Sequence, residues 1–217
     1  MSKLVYLFEE GNRSMNDILG GKGANLAEMS NAGLLVPPGF TITTGACNAY
    51  YANDKLFPEG MWLASKEALK AIEAKTGKQY GDPGNPLLLS VRSGAPVSMP
   101  GMKDTVLNLG LTSETVQGLA ALTGDERFAW DAYRRFIQAF GEIVLGVPKE
   151  RLHHVLEQAL QRTQNGRDSD LSVDQLQTLV TRYQEIIFGE SRQNVPDDAE
   201  EQLRMAIAAV FDSWMTR

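Results

Sequence analysis

The chain has 217 residues, 43% of them hydrophobic and 22% charged, which is enough to bury a sizeable core in one or two domains. Its net charge of -6 and pI near 5.0 exclude the positive field that an extended nucleic-acid surface or an anionic membrane surface needs, yet leave room for a small anion held by a few local cations. The single Cys47 excludes an intrachain disulfide framework, no run of about 18 apolar residues offers a membrane span, and the apolar start is too short for a signal peptide, so the cytoplasm is the expected compartment.

In chain order, the patterning predicts a strand near Leu4–Phe8, a helix near Lys22–Ala32, a strand near Phe40–Thr43 and helices near Thr44–Asn53 and Met61–Thr76. Strands near Leu87–Val91 and Thr105–Leu109 complete a mixed α/β region over residues 1–111. Fourteen of the 20 glycines and seven of the nine prolines lie there, so composition changes sharply at its end. Helices are then expected near Ser113–Thr123, Asp125–Leu145, Lys149–Gln164, Ser172–Phe188 and Asp197–Met215, with Ser172 and Gln175 in capping-box spacing. Residues 112–196 read as a helical subdomain, and 197–217 as a final helix returning to the first. That last helix runs almost to Arg217, which resembles a cut as much as a natural end. All of the net negative charge is C-terminal: residues 1–111 balance 10 Lys/Arg against 10 Asp/Glu, and residues 112–217 carry 11 against 17.

Three cations stand out. Lys22 sits in LGGKGANLAEM, where Gly20, Gly21 and Gly23 precede an apolar-periodic segment. It would therefore lie at a helix N-terminus, where close backbone approach, unpaired N–H groups and the helix dipole favour an anion. The segment is neither a Walker A loop nor GxGxxG, and an exposed lysine on a Gly-rich turn is the plain alternative. Arg92 stands where the apolar strand enters the loop SGAPVSMPGMKD, a position suited to phosphate oxygens or, structurally, to pairing with Asp104. Met99 and Met102 in that loop suit a lid or a base-contacting surface, or plain core filling. On the helix containing FAWDAYRRFIQAF, advancing about 100° per residue puts Arg134 in the middle of the polar half and Arg135 at the border of the apolar face. Arg134 is thus expected to be solvated. Arg135 is expected to be held against protein, either by a ligand or by a local partner such as Asp131. His153 and His154 read as surface residues, Cys47 as a small buried hydrophobe, and no metal-ligand spacing appears.

Taken together, YLFEEGN, LGGKGANLAEM, VPPGFTITT, LLLSVRSGA with SMPGM and DTVLNLG, and YRRFIQAFG resemble the pyruvate, phosphate dikinase family, in the family's order and over essentially the whole chain. The resemblance implies the N-terminal half of an ATP-grasp domain with few strands, an α/β (α+β) fold carrying an all-helical subdomain. It implies ATP and inorganic phosphate as ligands and Mg2+ as a cofactor whose ligands lie outside this chain. A swivelling phosphohistidine domain and a homodimer would belong to the complete enzyme. By motif position, Lys22 and Arg92 would hold ATP phosphates, Arg135 would hold inorganic phosphate or the transferred phosphoryl group, and backbone near Ser98, Gly101 and Met102 would close over the nucleotide. The expectation is that the three cations converge on one triphosphate. Pro96-Val97 and Lys103 depart from the family's usual loop, and this length alone is expected to be inactive. The alternatives are a phosphoenolpyruvate synthase-like fragment or a non-catalytic module presenting an acidic helical surface.

Overall fold

Among the described residues, the strands all lie before residue 110, mixed with three α-helices, and the elements after it are helical. The computed structural model describes residues 3–93 and 105–214. These divide into two compact units, one of residues 3–78, 93 and 210–214 and the other of residues 79–92 and 105–209.

In the first unit, β1 (Val5–Leu7) pairs antiparallel with β2 (Phe40–Ile42) in the register Val5–Ile42, Tyr6–Thr41, Leu7–Phe40. Helix α1 (Asn16–Asn31) begins earlier than the pattern predicts, because a short turn precedes the apolar-periodic stretch. The two are separated at Gly20, whose φ of 68° and ψ of 167° belong to a region that side chains with a Cβ avoid. The straight helix therefore resumes at Gly21, as the glycine spacing anticipates. Helix α2 (Thr44–Ala52) starts where the Thr43 hydroxyl accepts the Ala46 N–H at 3.2 Å, and α3 (Met61–Thr76) has the predicted bounds. Val5, Ala46, Tyr50, Met61, Leu69 and Ile72 are buried, and the Phe211 ring packs 5.2 Å from Tyr50. Cys47 is buried with them; burial, assisted by the negative charge of Asp212, pushes its thiol up to about 12, so it stays protonated and unreactive.

The second unit carries a parallel pair, β3 (Gln79–Tyr80) with β4 (Pro86–Leu87), and an antiparallel pair, β5 (Leu89–Arg92) with β6 (Thr105–Leu109). The single strand expected at Leu87–Val91 is therefore two. The chain changes partners at Leu88, from β3 to β6. Five helices follow: α4 (Thr115–Thr123), α5 (Glu126–Ile143), α6 (Lys149–Leu160), α7 (Val173–Ser191) and α8 (Ala199–Ser213), the last ending among residues of the first unit. Asp125 caps α5 by accepting the Phe128 N–H at 2.8 Å, and Ser172 and Gln175 form the anticipated capping box on α7.

Phe136, Ile137 and Phe140 of α5 are fully buried against Leu152, Leu176, Leu179 and Ile187 from α6 and α7. Such a cluster removes about 1.5–3 kcal/mol worth of apolar surface from water per large side chain, which makes α5 the spine of this unit. Buried Gln202 joins α8 to the exit of β6: it accepts from Gly110 N at 3.0 Å and donates to Leu111 O and Pro196 O at 2.9 and 2.8 Å. The result is an α+β fold, with three two-stranded sheets and eight α-helices among the described residues.

Candidate functional site

Lys22 is exposed on the first turn of the straight part of α1, two residues past the break at Gly20. Its element is held in place by neighbours that leave no room for side chains. A Cβ on Gly23 would come within 2.9 Å of both γ atoms of Thr41 on β2, so only glycine allows the helix to lie this close to the strand. The Thr44 hydroxyl donates to Asp17 O at 2.6 Å and ties the preceding turn to α2. Among the described residues Lys22 has no hydrogen-bond or ion-pair partner.

Arg92 is the last residue of β5, exposed and opposite Thr105 of β6. It too lacks a hydrogen-bond or ion-pair partner among the described residues. Its alternative partner Asp104 lies outside them, as do Ser98, Met99, Gly101 and Met102. Helix α5 packs on the same sheet, where Asn108 Nδ2 of β6 donates to Ala132 O at 3.3 Å. Arg92 and Arg135 therefore belong to one unit and to elements that both touch β6, although no hydrogen bond joins the two side chains among the described residues.

The arginine pair on α5 corrects the helical-wheel reading. Arg134, expected in solvent, is only 1% exposed, whereas the Arg135 side chain, expected to be the one held against protein, is 56% exposed. The reason is tertiary. The buried arc of α5 extends through Ile137 and Gly141, where Ile187 of α7 packs 2.6 Å from the place a Gly141 Cβ would take. The connection between α6 and α7 then covers the Arg134 side, with Asp168 contributing a carboxylate. A wheel drawn for α5 alone sees neither neighbour.

Four charged groups meet there. Asp131 Oδ1 accepts from Arg134 Nε and Nη2 at 3.0 and 2.7 Å, and its Oδ2 accepts from Arg135 Nε at 3.0 Å. A single oxygen of Asp168, Oδ2, accepts from Arg134 Nη2 at 2.9 Å and from Arg135 Nη2 at 3.2 Å. Arg134 Nη1 also donates to Gln138 Oε1 at 3.3 Å. Burial alone would raise the Asp131 carboxyl, but the hydrogen bonds and charges of Arg134 and Arg135 outweigh it and hold the group below the usual carboxylate range. Arg127 fixes the loop that brings Asp168, donating from Nη2 to Asp168 O at 2.7 Å and from Nε to Leu171 O at 3.0 Å.

The local partner anticipated for Arg135, Asp131, is thus present. Asp168 and Arg127 were not singled out in the sequence, and no local pattern marks them, since each joins the group through a loop at least 33 positions from α5's arginines or through backbone carbonyls. Among the described residues no three His, Cys, Asp or Glu side chains gather to hold a metal ion, and no helix is long and apolar enough to cross a membrane.

Residues 16–61, which span the Gly-rich segment and Lys22, match the family model described as "Pyruvate phosphate dikinase, AMP/ATP-binding domain". Over 216 residues the chain is 51% identical to pyruvate, phosphate dikinase 1, chloroplastic, of Arabidopsis thaliana, covering 98% of this chain and 22% of that protein. It is 50% identical over 219 residues to pyruvate, phosphate dikinase of Rhizobium meliloti (strain 1021), covering 99% and 24%, and 48% identical over 205 residues to pyruvate, phosphate dikinase 1, chloroplastic, of Zea mays, covering 94% and 22%. The chain spans less than a quarter of the length of these relatives. Along nearly all of its own length, then, it is homologous to the N-terminal region of the pyruvate, phosphate dikinases, and the match to their AMP/ATP-binding model covers residues 16–61.

Proposed function

We propose that this chain supplies the ATP- and phosphate-binding face of a pyruvate, phosphate dikinase, as the N-terminal part of an ATP-grasp domain. The observation that carries the reading is the state of two cations. Lys22 and Arg92 are each exposed at the end of a rigid element and unpaired among the described residues, in a chain whose residues 16–61 match an AMP/ATP-binding model.

In this reading Lys22 and Arg92 hold phosphate oxygens of ATP. Arg135 holds inorganic phosphate or the phosphoryl group in transfer, and Ser98, Gly101 and Met102 close over the nucleotide. Phosphoryl transfer asks the protein mainly for positioning and for neutralisation of charge on oxygens, and cations fixed on helix and strand ends supply both. The whole reaction would convert ATP, phosphate and pyruvate to AMP, diphosphate and phosphoenolpyruvate. That requires a phosphohistidine segment and Mg2+ ligands from other parts of the enzyme, which as a whole would be a homodimer, and no step assigned to this chain runs through the metal. The cytoplasm remains the proposed compartment, although the two plant relatives are named chloroplastic.

Calorimetry with Mg·ATP tests the reading directly. The chain should bind, and Lys22→Ala and Arg92→Ala should each weaken binding about tenfold or more, since a hydrogen bond to a charged group contributes about 1.5–3 kcal/mol. Binding that neither substitution alters would remove Lys22 and Arg92 from the site. No binding by a longer chain that carries the rest of the domain, together with no effect of Lys22→Ala, would favour an acidic helical interaction module. Phosphate-dependent turnover of the complete enzyme separates the dikinase from a phosphoenolpyruvate synthase, which uses water instead.

A further inference from the structure

The group on α5 poses a problem for any anion that approaches Arg135. Two arginines and two aspartates sum to zero charge, so a phosphate arriving at this place finds its attraction already spent on carboxylates. The two carboxylates differ in how firmly they are held. Asp131 is one turn away on the same helix, its side chain is 17% exposed, and both of its oxygens are engaged. Its departure would break three arginine hydrogen bonds at once and leave the buried Arg134 with fewer partners. Asp168 comes from a single three-residue 3-10 turn between α6 and α7, its side chain is 35% exposed, and only Oδ2 bonds to the arginines. Its backbone is secured separately, by Arg127, so the side chain can swing away while the turn stays in place.

We propose that Asp168 is a displaceable occupant of a phosphoryl-oxygen seat formed by Arg134 and Arg135. Its Oδ2 sits between two guanidinium groups, the arrangement in which arginines hold one oxygen of a phosphate. When the carboxylate swings out, Asp131 keeps both guanidiniums oriented and the remaining three groups carry one net positive charge. A phosphate oxygen then takes the vacated contacts. Asp131 is accordingly the positioning residue for both arginines, and Asp168 sets how strongly an anion must bind to enter. The inference rests on the reading that Arg135 holds phosphate or a phosphoryl group, and it assigns to Asp168 a role that reading does not contain.

The experiment follows arginine Nε–Hε and backbone amide resonances of the 217-residue chain by NMR, titrating inorganic phosphate in one arm and Mg·ATP in the other. Arg135→Lys identifies the Arg135 signal by its loss. In the wild type, the Arg134 and Arg135 Nε signals and the Asp168 amide should move together with a single apparent Kd. Asp168→Asn, which keeps the side-chain size and the Arg127 contacts to the backbone, should tighten that Kd by about three- to tenfold. Asp168→Glu, which keeps the charge, should not tighten it. A response to phosphate alone identifies a free-phosphate seat, and a response to Mg·ATP alone identifies a phosphoryl group of the nucleotide. If Arg135 responds and Arg135→Lys weakens binding while the Asp168 amide stays still in the wild type, or Asp168→Asn leaves the Kd unchanged, displacement is refuted and the reading of Arg135 stands. If neither arm moves Arg135, or Arg135→Lys leaves binding unaltered, that reading fails and the inference fails with it.

Discussion

Lys22 on α1 and the arginine pair on α5 are all cations on helices, but they are in opposite states. Lys22 is exposed and unpaired among the described residues, on a helix whose glycines let it lie close to β2. Arg134 and Arg135 share two carboxylates, and Arg134 is buried. The first region fixes its backbone by close packing and leaves its charge available. The second uses its charges to fix structure. A buried guanidinium without an anionic partner is strongly unfavourable, so the arginine that the fold covers is the one that must be paired. The exposed cations remain for an incoming ligand. The position of a cation on a helix therefore says little about its role until the groups packed over it are known.

The difference can be broken most sharply at Asp131. Asp131→Ala removes the carboxylate that holds both arginines and leaves the Arg134 charge buried with Asp168 and Gln138 alone. Breaking a buried pair in this way should cost about 3 kcal/mol, read as a lower urea midpoint at pH 7. Arg135→Ala, at the exposed end of the same network, should cost less than about 1 kcal/mol. Equal costs for the two would mean that Arg134 is not the structural member of the pair.

The same contrast explains what was legible in the sequence. Features set by local chemistry came through: α3 begins and ends where Gly60 and Gly77 permit, α5 starts at the Asp125 cap, and the break at Gly20 places Lys22 at a helix start. Arg92 at a strand end was legible for the same reason, because the apolar run and the Gly/Pro loop after it are both local. Features set by partners distant in the chain did not come through. The strand of residues 87–91 splits because its two ends pair with different strands, and β3 consists of two residues within a turn-rich stretch where no period can show. Arg134 and Arg135 exchanged roles because α7 and the Asp168 turn cover one side of α5 from more than thirty residues away.

A smaller effect probes the close approach on the Lys22 side. Gly23→Ala would place a methyl group 2.9 Å from Thr41 Cγ2 and Oγ1, and overpacking of this kind costs about 1–3 kcal/mol. Thr41→Ala removes both atoms, so the double variant should recover most of that loss, a coupling that a double-mutant cycle measures. Additive costs would show that the contact does not hold α1 to β2.

The pH dependence of stability belongs to the arginine side. The folded Asp131 carboxyl lies below its unfolded value of about 3.9, so its contribution is complete above that pH and is lost as pH falls through the lower folded value. Urea midpoints taken from pH 7 down to pH 2 should fall more steeply for the wild type than for Asp131→Asn. The wild type's advantage should hold steady down to about pH 4 and close only below it. The paired carboxylates of Glu9 and Glu10 are also lowered, by Lys75 and Lys3, but they are exposed and screened, and they are common to both proteins. Parallel curves would place the stabilising charge elsewhere.

The smallest expected effect is the most informative about function. Lys22→Ala removes an exposed side chain that touches no partner among the described residues, from a helix where alanine is a strong former. Its change in stability should stay within about 0.5 kcal/mol. If Lys22 supports the fold, stability and nucleotide affinity fall together. If it is kept for a ligand, thermal melts of wild type and Lys22→Ala should coincide without nucleotide and separate when Mg·ATP is added, because only the wild type gains the stabilisation that binding the folded state confers. Asp131→Ala should behave in the reverse way, with its largest deficit already present before any ligand is added.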